Sequence, residues 1–414
     1  MTAEPRATYR DVFAVAEFRV LLGTFALLLI SESVKMLALS VLVYVGTGSA
    51  LLAALAYAAG FLPQALGGTL LLSLADRWRP RRLLVGYDLL RLAVTAVLAL
   101  TVLPPAGAML LVFLTGGLAP VAQAARTALL ADLLAGDAYV LGRSLFTVTS
   151  GAMQVVGAAV GGLLLVTAGP AGALWLSAVA CGVSAIVVRF ASAGRPARSA
   201  AEAGAVRQTW RVNGRLLRDA PLRRLLLAQW LPGALMVGAE GVVVPYAAQA
   251  GRPGTAGVLL AAAAFGMLTG EFLVARLAPP ALRERLTPWL ALLLGVPLAA
   301  FLLRPGPVAA AVILALAAAG FSYHLGLARR FLEAAPQRWR GQAFGLANTG
   351  TMVLQGLAMA GAGALAELVA PEVVMALAGG ASILSTLALW RTLRPGPPLP
   401  AGPHHERQAV GGGR

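Results

Sequence analysis

A chain of 414 residues that is 59% hydrophobic and only 12% charged cannot coat a water-facing surface, because soluble domains carry roughly 25% charged residues. Its net charge of +16 does not describe a nucleic-acid-binding domain, since the arginines fall between long apolar runs rather than on one polar patch. A single cysteine, Cys181, and three scattered histidines, His324, His404 and His405, exclude an internal disulfide and a recognisable metal centre.

A membrane helix needs about 20 mostly apolar residues. In chain order the candidate spans are 20–45, 50–75, 83–103, 107–133, 144–168 and 172–190, then 225–249, 255–277, 288–303, 308–328, 342–366 and 371–389. The ninth, 288–303, is short and carries Pro297. The first is too long for a signal peptide and contains Glu32 and Lys35, so it is expected to be retained. The pattern predicts an all-α membrane protein of twelve helices in two pseudo-symmetric six-helix bundles. The expected divisions are an amino-terminal half (1–191), a basic linker (192–224), a carboxy-terminal half (225–394) and a tail (395–414) rich in proline and glycine, with no ordered structure expected. Within the linker, residues 206–217 read as an amphipathic helix for the anionic cytoplasmic leaflet.

With both termini inside, the inner connections hold Arg77, Arg79, Arg81 and Arg82, Arg143, the run from 195 to 224, Arg283 and Arg285, and Arg329, Arg330, Arg338 and Arg340. The outer ones hold only Arg252 and Arg304. This asymmetry predicts a multi-pass protein of the cell (inner) membrane with both termini cytoplasmic.

An offset of 199 residues pairs Gly142 with Gly341, Gly151 with Gly350, Met153 with Met352, Gly157 with Gly356 and Gly162 with Gly361. Spans five and eleven then become equivalent members of two parallel repeats. The simplest role for the glycines is close helix packing.

Between spans two and three stands GGTLLLSLADRWRPRRLLVGYDLLR. Here the chain resembles the major facilitator superfamily, whose loop carries roughly G-x-x-x-D-[RK]-x-G-[RK]-[RK]. Asp76, Arg77, Arg81 and Arg82 match; Leu72 replaces the first glycine, and Arg79–Pro80 stands in the second glycine region. The DRWRPRR form is similar to one in twelve-span exporters, as are AARTALLADLL (124–134) and GAMQVVGAAVGG (151–162). Antiporters of the superfamily carry G-x-x-x-G-P-x-x-G-G in span five; Gly157, Gly161 and Gly162 fit, while Ala158 replaces the proline. The resemblance implies alternating access and the export direction. It also implies a conformational gate at Asp76, Arg77, Arg81 and Arg82. A carboxylate there can face a helix amino end, and arginines can fork onto acids across the interface between halves. Asp132 is an expected partner for one of these arginines, and Arg126 for Asp76; the alternative is a plain basic loop.

Ionisable residues inside a membrane are costly and face a cavity or a partner. Glu32 and Lys35, three apart, share a face of span one. They are a self-neutralising pair, a substrate-facing one, or both. Lys35 is the only lysine in the chain. Glu240 in span seven has no basic neighbour in its own helix, and Pro245 and Tyr246 follow it with a helix break and an amphipathic wall. Aligning Arg19 with Arg224 sets Lys35 and Glu240 at equivalent depth, so a pair across the cavity and a lone Glu240 are both open. Glu271 in span eight is either ion-paired with Arg276 or a proton carrier. Glu240 is the first candidate for proton coupling and Glu271 the second. Gln64, Gln154, Gln229, Tyr323, His324, Asn348 and Gln355 are further path candidates.

These residues, together with the export direction that the resemblance implies, predict a proton-coupled efflux transporter for small lipophilic or cationic molecules, monomeric, with no cofactor, embedded in the lipid bilayer. The rivals are an importer or uncoupled facilitator on the same fold, and a non-transporting receptor or scaffold. No paired catalytic carboxylates, nucleophile elbow or phosphate loop points to an enzyme. Arginine in place of lysine, with abundant alanine and glycine, is consistent with a GC-rich bacterial genome.

Overall fold

The computed structural model describes residues 8–61, 63, 64, 67, 78–193, 195, 205–252 and 254–394. The described residues of the first half form α1 (Tyr9–Ala14), α2 (Ala16–Thr47), α3 (Ala50–Ala58), α4 (Pro80–Ala99), α5 (Pro105–Leu133), α6 (Gly136–Thr167) and α7 (Gly169–Ala191). A linker helix, α8 (Ala205–Arg218), follows. The second half comprises α9 (Ala220–Glu240), α10 (Val243–Gln249), α11 (Thr255–Leu277), α12 (Pro280–Leu293) with a 3-10 continuation (Val296–Leu303), and α13 (Pro307–Ala319). It ends with α14 (Tyr323–Ala334), α15 (Arg340–Leu365), α16 (Pro371–Ala388) and α17 (Trp390–Leu393). Among the described residues there is no strand.

Nine helical segments of the described chain are long and apolar enough to cross a membrane. The other three expected spans have clear physical reasons for falling short. The second is described only in part. α4 carries Arg81, Arg82, Asp88 and Arg91, and α15 is diluted by Asn348, Gln355 and glycines. Large apolar side chains point outward along the spans: Phe190 is 80% exposed, Leu303 83% and Phe272 64%. Such a surface suits lipid tails, not water.

Several helices are longer than the apolar runs that reveal them. The ninth begins at Pro280 rather than at 288, and the fifth at Gly136 rather than at 144. Charged turns at a helix end remain hydrogen-bonded helix, so hydropathy undercounts the ends. Pro80 occupies the first turn of α4, where its missing N–H costs nothing; this gives the Arg79–Pro80 departure from the family loop a structural role. Span seven breaks between α9 and α10 at Gly241 and Val242. The ring of Pro245 opposes the carbonyl four residues back, at Gly241, and so places the break immediately after Glu240.

The packing repeats between the halves. α2 lies against α6 and α7, as α9 lies against α15 and α16; α4 pairs with α7, as the 3-10 segment pairs with α16. The most extensive contacts between the halves are two that the same pseudo-symmetry exchanges, α6 with α11 and α3 with α15.

Both crossings are tightest at the end of the bundle remote from the described termini. A Cβ on Gly257 would collide with Cα of Gly162, and one on Gly363 would lie 2.6 Å from Cβ of Ala54. Glu367, just beyond α15, accepts hydrogen bonds from Ser49 Oγ at 2.6 Å and the Leu51 N–H at 2.8 Å. Its carboxylate therefore sits at the amino end of α3, across the gap between halves, where the helix dipole favours negative charge. The far end is closed.

The Ser49 hydroxyl and the Leu51 N–H hold the Glu367 carboxyl below the usual carboxylate range. A depressed folded value gives a contribution that is complete above the ordinary value and disappears as pH falls through the depressed one. Far-end closure is therefore expected to be insensitive to pH near neutrality and to loosen only in strong acid, or with Glu367→Gln. Distance measurements between spin labels on Val45→Cys and Leu368→Cys, taken against pH, check this.

Candidate functional site

Between the halves lies a cavity of about 390 Å³. Its walls come from both halves, with Glu32 from α2, Gln154 from α6, Glu240 from α9, Glu271 from α11, His324 from α14 and Gln355 from α15. Three of the acids singled out in the sequence thus converge on one space, although they stand 208 and 31 residues apart in the chain (240 − 32 and 271 − 240). Their electrostatic situations differ.

Glu32 is fully compensated. Lys35 Nζ lies 2.8 Å from its Oε1 and 2.9 Å from its Oε2. Arg91, reaching from α4, donates to Oε2 at 3.1 Å. The Lys35 side chain is thereby committed to its own helix, and the pair across the cavity with Glu240 does not form. The self-neutralising arrangement is the one present, and Glu32 also faces the cavity.

Behind it runs a buried polar network that the sequence reading missed. Arg91, 1% exposed, also donates to Ser31 Oγ at 2.8 Å and lies 3.5 Å from Asp88 Oδ1. Asp88, likewise 1% exposed, accepts from Ser184 Oγ at 2.6 Å. The network ties α2, α4 and α7 together with two acids and two bases. Its signal was present in LLVGYDLLRLAV, where Asp88 and Arg91 repeat the three-residue spacing of Glu32 and Lys35. Hydropathy does not separate these two charges from the arginine-rich loop that precedes them.

Removing one partner from a buried ion pair leaves an uncompensated charge and costs about 3–5 kcal/mol. Arg91→Gln would leave buried Asp88 without its ion-pair partner and Glu32 with Lys35 alone. It is expected to lower the thermal unfolding midpoint of the purified protein sharply, measured in detergent against wild type.

Glu240 and Glu271 are half-buried, line the cavity, and make no ion pair among the described residues. The alternative of a Glu271–Arg276 pair does not form. Five residues at about 100° each leave the two side chains roughly 140° apart around the helix, and Arg276 is exposed. Tyr246 lies outside the cavity lining: its hydroxyl donates to the Pro305 carbonyl at 2.9 Å, and its ring packs edge-on to Phe301.

Among the other polar candidates, Gln64, Gln154, His324 and Gln355 line the cavity. Tyr323 and His324 both reach the Gln229 carbonyl, at 2.7 and 3.0 Å, and clamp α14 to α9. Such contacts are helix-to-helix glue.

At the near end, Asp76 and Arg77 lie outside the described residues. Arg81 donates to the Ser192 carbonyl at 3.1 Å within its own half, and Arg82 is exposed. Asp132 is exposed at the end of α5. Arg126 is buried, with Gln123 Oε1 at 3.4 Å and the Phe25 ring beneath its guanidinium at 5.3 Å.

Two equivalent helix groups around a central cavity that sets acids among apolar walls, closed at one end, define a multi-pass membrane transporter fold. The chain belongs to the Major Facilitator Superfamily, whose family model matches residues 20–351. Similar solved structures include a bacterial homologue of the human lysosomal transporter Spinster, inward-facing and unoccupied. It is 14% identical, with 94% of this chain and 100% of that chain covered and a TM-score of 0.66. The peptide transporter POT in complex with sulfate is 15% identical, covering 93% and 100%, with a TM-score of 0.67. A mutant of the nucleoside transporter NupG is 13% identical, covering 90% and 99%, with a TM-score of 0.67. At these identities the likeness concerns the fold. A comparison with curated protein sequences finds no match.

Proposed function

We propose that this transporter exports small lipophilic cations in exchange for protons by alternating access, with Glu240 and Glu271 as the residues that bind either. The observation that carries this reading is the unequal treatment of three acids in one cavity. Glu32 is neutralised by Lys35 and Arg91, whereas Glu240 and Glu271 face the space and make no ion pair among the described residues.

An uncompensated carboxylate in a site of low dielectric is stable only when protonated or paired with a cation. Either occupant excludes the other, and that competition is the chemical basis of antiport. The remaining walls include Met36, Phe61, Met267 and Phe321. They suit an apolar body, and polarisable methionines adapt to varied shapes. The compensated network would serve as a rigid wall of the first half, so proton handling falls to the second.

In this reading both termini are cytoplasmic, the closed far end faces outward, and the cavity communicates with the cytoplasm. Asp76, Arg77, Arg81, Arg82, Arg126 and Asp132 would then form the near-end gate that closes in the opposite state. The export direction rests on the resemblance of the 76–82 loop to exporters. The test is a proteoliposome assay with an imposed proton gradient and tetraphenylphosphonium as probe. Gradient-driven, direction-dependent flux supports the reading, and flux indifferent to the gradient contradicts it.

A further inference from the structure

The linker helix α8 presents an arginine face that no part of the described chain neutralises. Val212 and Leu216 are 5% and 2% exposed and dock on the second half, and Asn213 Oδ1 accepts from Gln342 Nε2 at 3.3 Å. At about 100° per residue these three define one side of the helix. Arg211, Arg215 and Arg218 fall together on another side, and all three are exposed. Arg223 and Arg224, at the start of α9, are exposed beside them. None of the five makes an ion pair with a described acid. Asp219, the acid closest to them in sequence, caps α9 through the Leu222 N–H at 3.0 Å.

A third edge of α8 is apolar and uncovered. Trp210 is 60% exposed and Leu217 36%; seven residues apart, they share a face. Other tryptophans stand at the same end of the bundle. Trp289 and Trp390 pack edge-to-face at 5.5 Å at the near ends of spans nine and twelve, with Trp289 62% exposed. Trp78, 60% exposed, stands just before α4. Indoles concentrate at the boundary between lipid tails and headgroups, and α8 stands at that end of the bundle, between the near ends of spans six and seven.

We infer that α8 is a docking surface for anionic phospholipid headgroups, with Arg211, Arg215 and Arg218 on the phosphates and Trp210 and Leu217 inserted at the level of the upper acyl chains. The charge is complementary, α8 stands at the near face of the bundle, and the apolar edge has a destination. An acidic protein partner would account for the arginines but not for the exposed Trp210 and Leu217. Because α8 is tethered to both halves and packed on α15, lipid held here would steady the second half while the first rocks against it. Each arginine near an anionic surface contributes about fivefold to partitioning. The inference rests on membrane insertion alone and stands or falls independently of the proton-exchange reading.

The test uses the full-length protein in nanodiscs of phosphatidylcholine with increasing phosphatidylglycerol, and reads amide hydrogen exchange in the 205–218 segment. Protection is expected to rise with the anionic fraction, to fall with salt, and to drop about 25-fold in an Arg211→Gln/Arg218→Gln variant, two arginines at fivefold each. Trp210→Ala should reduce protection in both lipid compositions and serves if the charge variant misfolds. Equal exchange with and without anionic lipid would overturn the inference and leave the arginines to an acidic protein partner.

Discussion

Replacing Glu240 with glutamine is expected to uncouple transport from the proton gradient while leaving the protein folded. Glutamine keeps the shape and polarity of the side chain but can neither carry a proton nor pair with a cation. Glu240 has no ion-pair partner to lose among the described residues and lies at the helix break, so the substitution removes function without stranding a buried charge. Coupling free energies between two ligands usually correspond to about 5- to 150-fold effects. Gradient-driven accumulation should fall by an amount in that range, whereas downhill movement of a neutral probe should persist. Glu271→Gln should have a smaller effect of the same sign if Glu240 is the principal carrier. Wild-type accumulation ratios in the Glu240→Gln protein would remove that residue from the mechanism.

The second large effect is conformational. α6 and α11 cross at Gly162 and Gly257 with backbone against backbone, where even one added carbon collides. Gly257→Leu is therefore expected to destabilise the closed far end. Overpacking costs about 1–3 kcal/mol, which displaces a two-state equilibrium by about 5- to 150-fold. The expected result is a longer spin-label distance between Val45→Cys and Leu368→Cys, with turnover slowed because the closed state is part of every cycle. Gly86 makes a control: it lies in a membrane helix with no heavy atom near its added Cβ, so Gly86→Ala should change neither distance nor turnover. An unchanged distance in Gly257→Leu would mean that the crossing does not hold the far end shut.

Much of the architecture was legible because lipid imposes a simple rule on sequence: long apolar runs separated by arginine-rich loops. The 199-residue repeat of glycines anticipated the exchange of α6 with α15, visible in the packing of α2 on α6 and of α9 on α15. Glu32, Glu240 and Glu271 could be picked out because a charge inside an apolar run is costly. Their convergence on one cavity could not, since hydropathy gives depth but not the direction in which a side chain points. The same blindness applies to Tyr246 and to the alternative of a Glu271–Arg276 pair. Tyr246 has the right depth but turns to Pro305, and Arg276 is near Glu271 in sequence but on another face of the helix. Asp88 and Arg91 follow the arginine-rich loop so closely that hydropathy does not mark them as intramembrane charges. Arg91, with Lys35, nevertheless pairs with Glu32 and so sets it apart from Glu240 and Glu271.

The unequal charge of the cavity acids has a direct thermodynamic consequence. If cation and proton compete for Glu240 and Glu271, binding one must expel the other, and by linkage a higher proton activity must weaken cation binding. Purified protein in weakly buffered detergent, titrated with tetraphenylphosphonium while pH is recorded, measures this in one step. The account predicts proton release that saturates with binding and disappears in the Glu240→Gln/Glu271→Gln double variant. Saturable binding with no release of protons at any pH would contradict it.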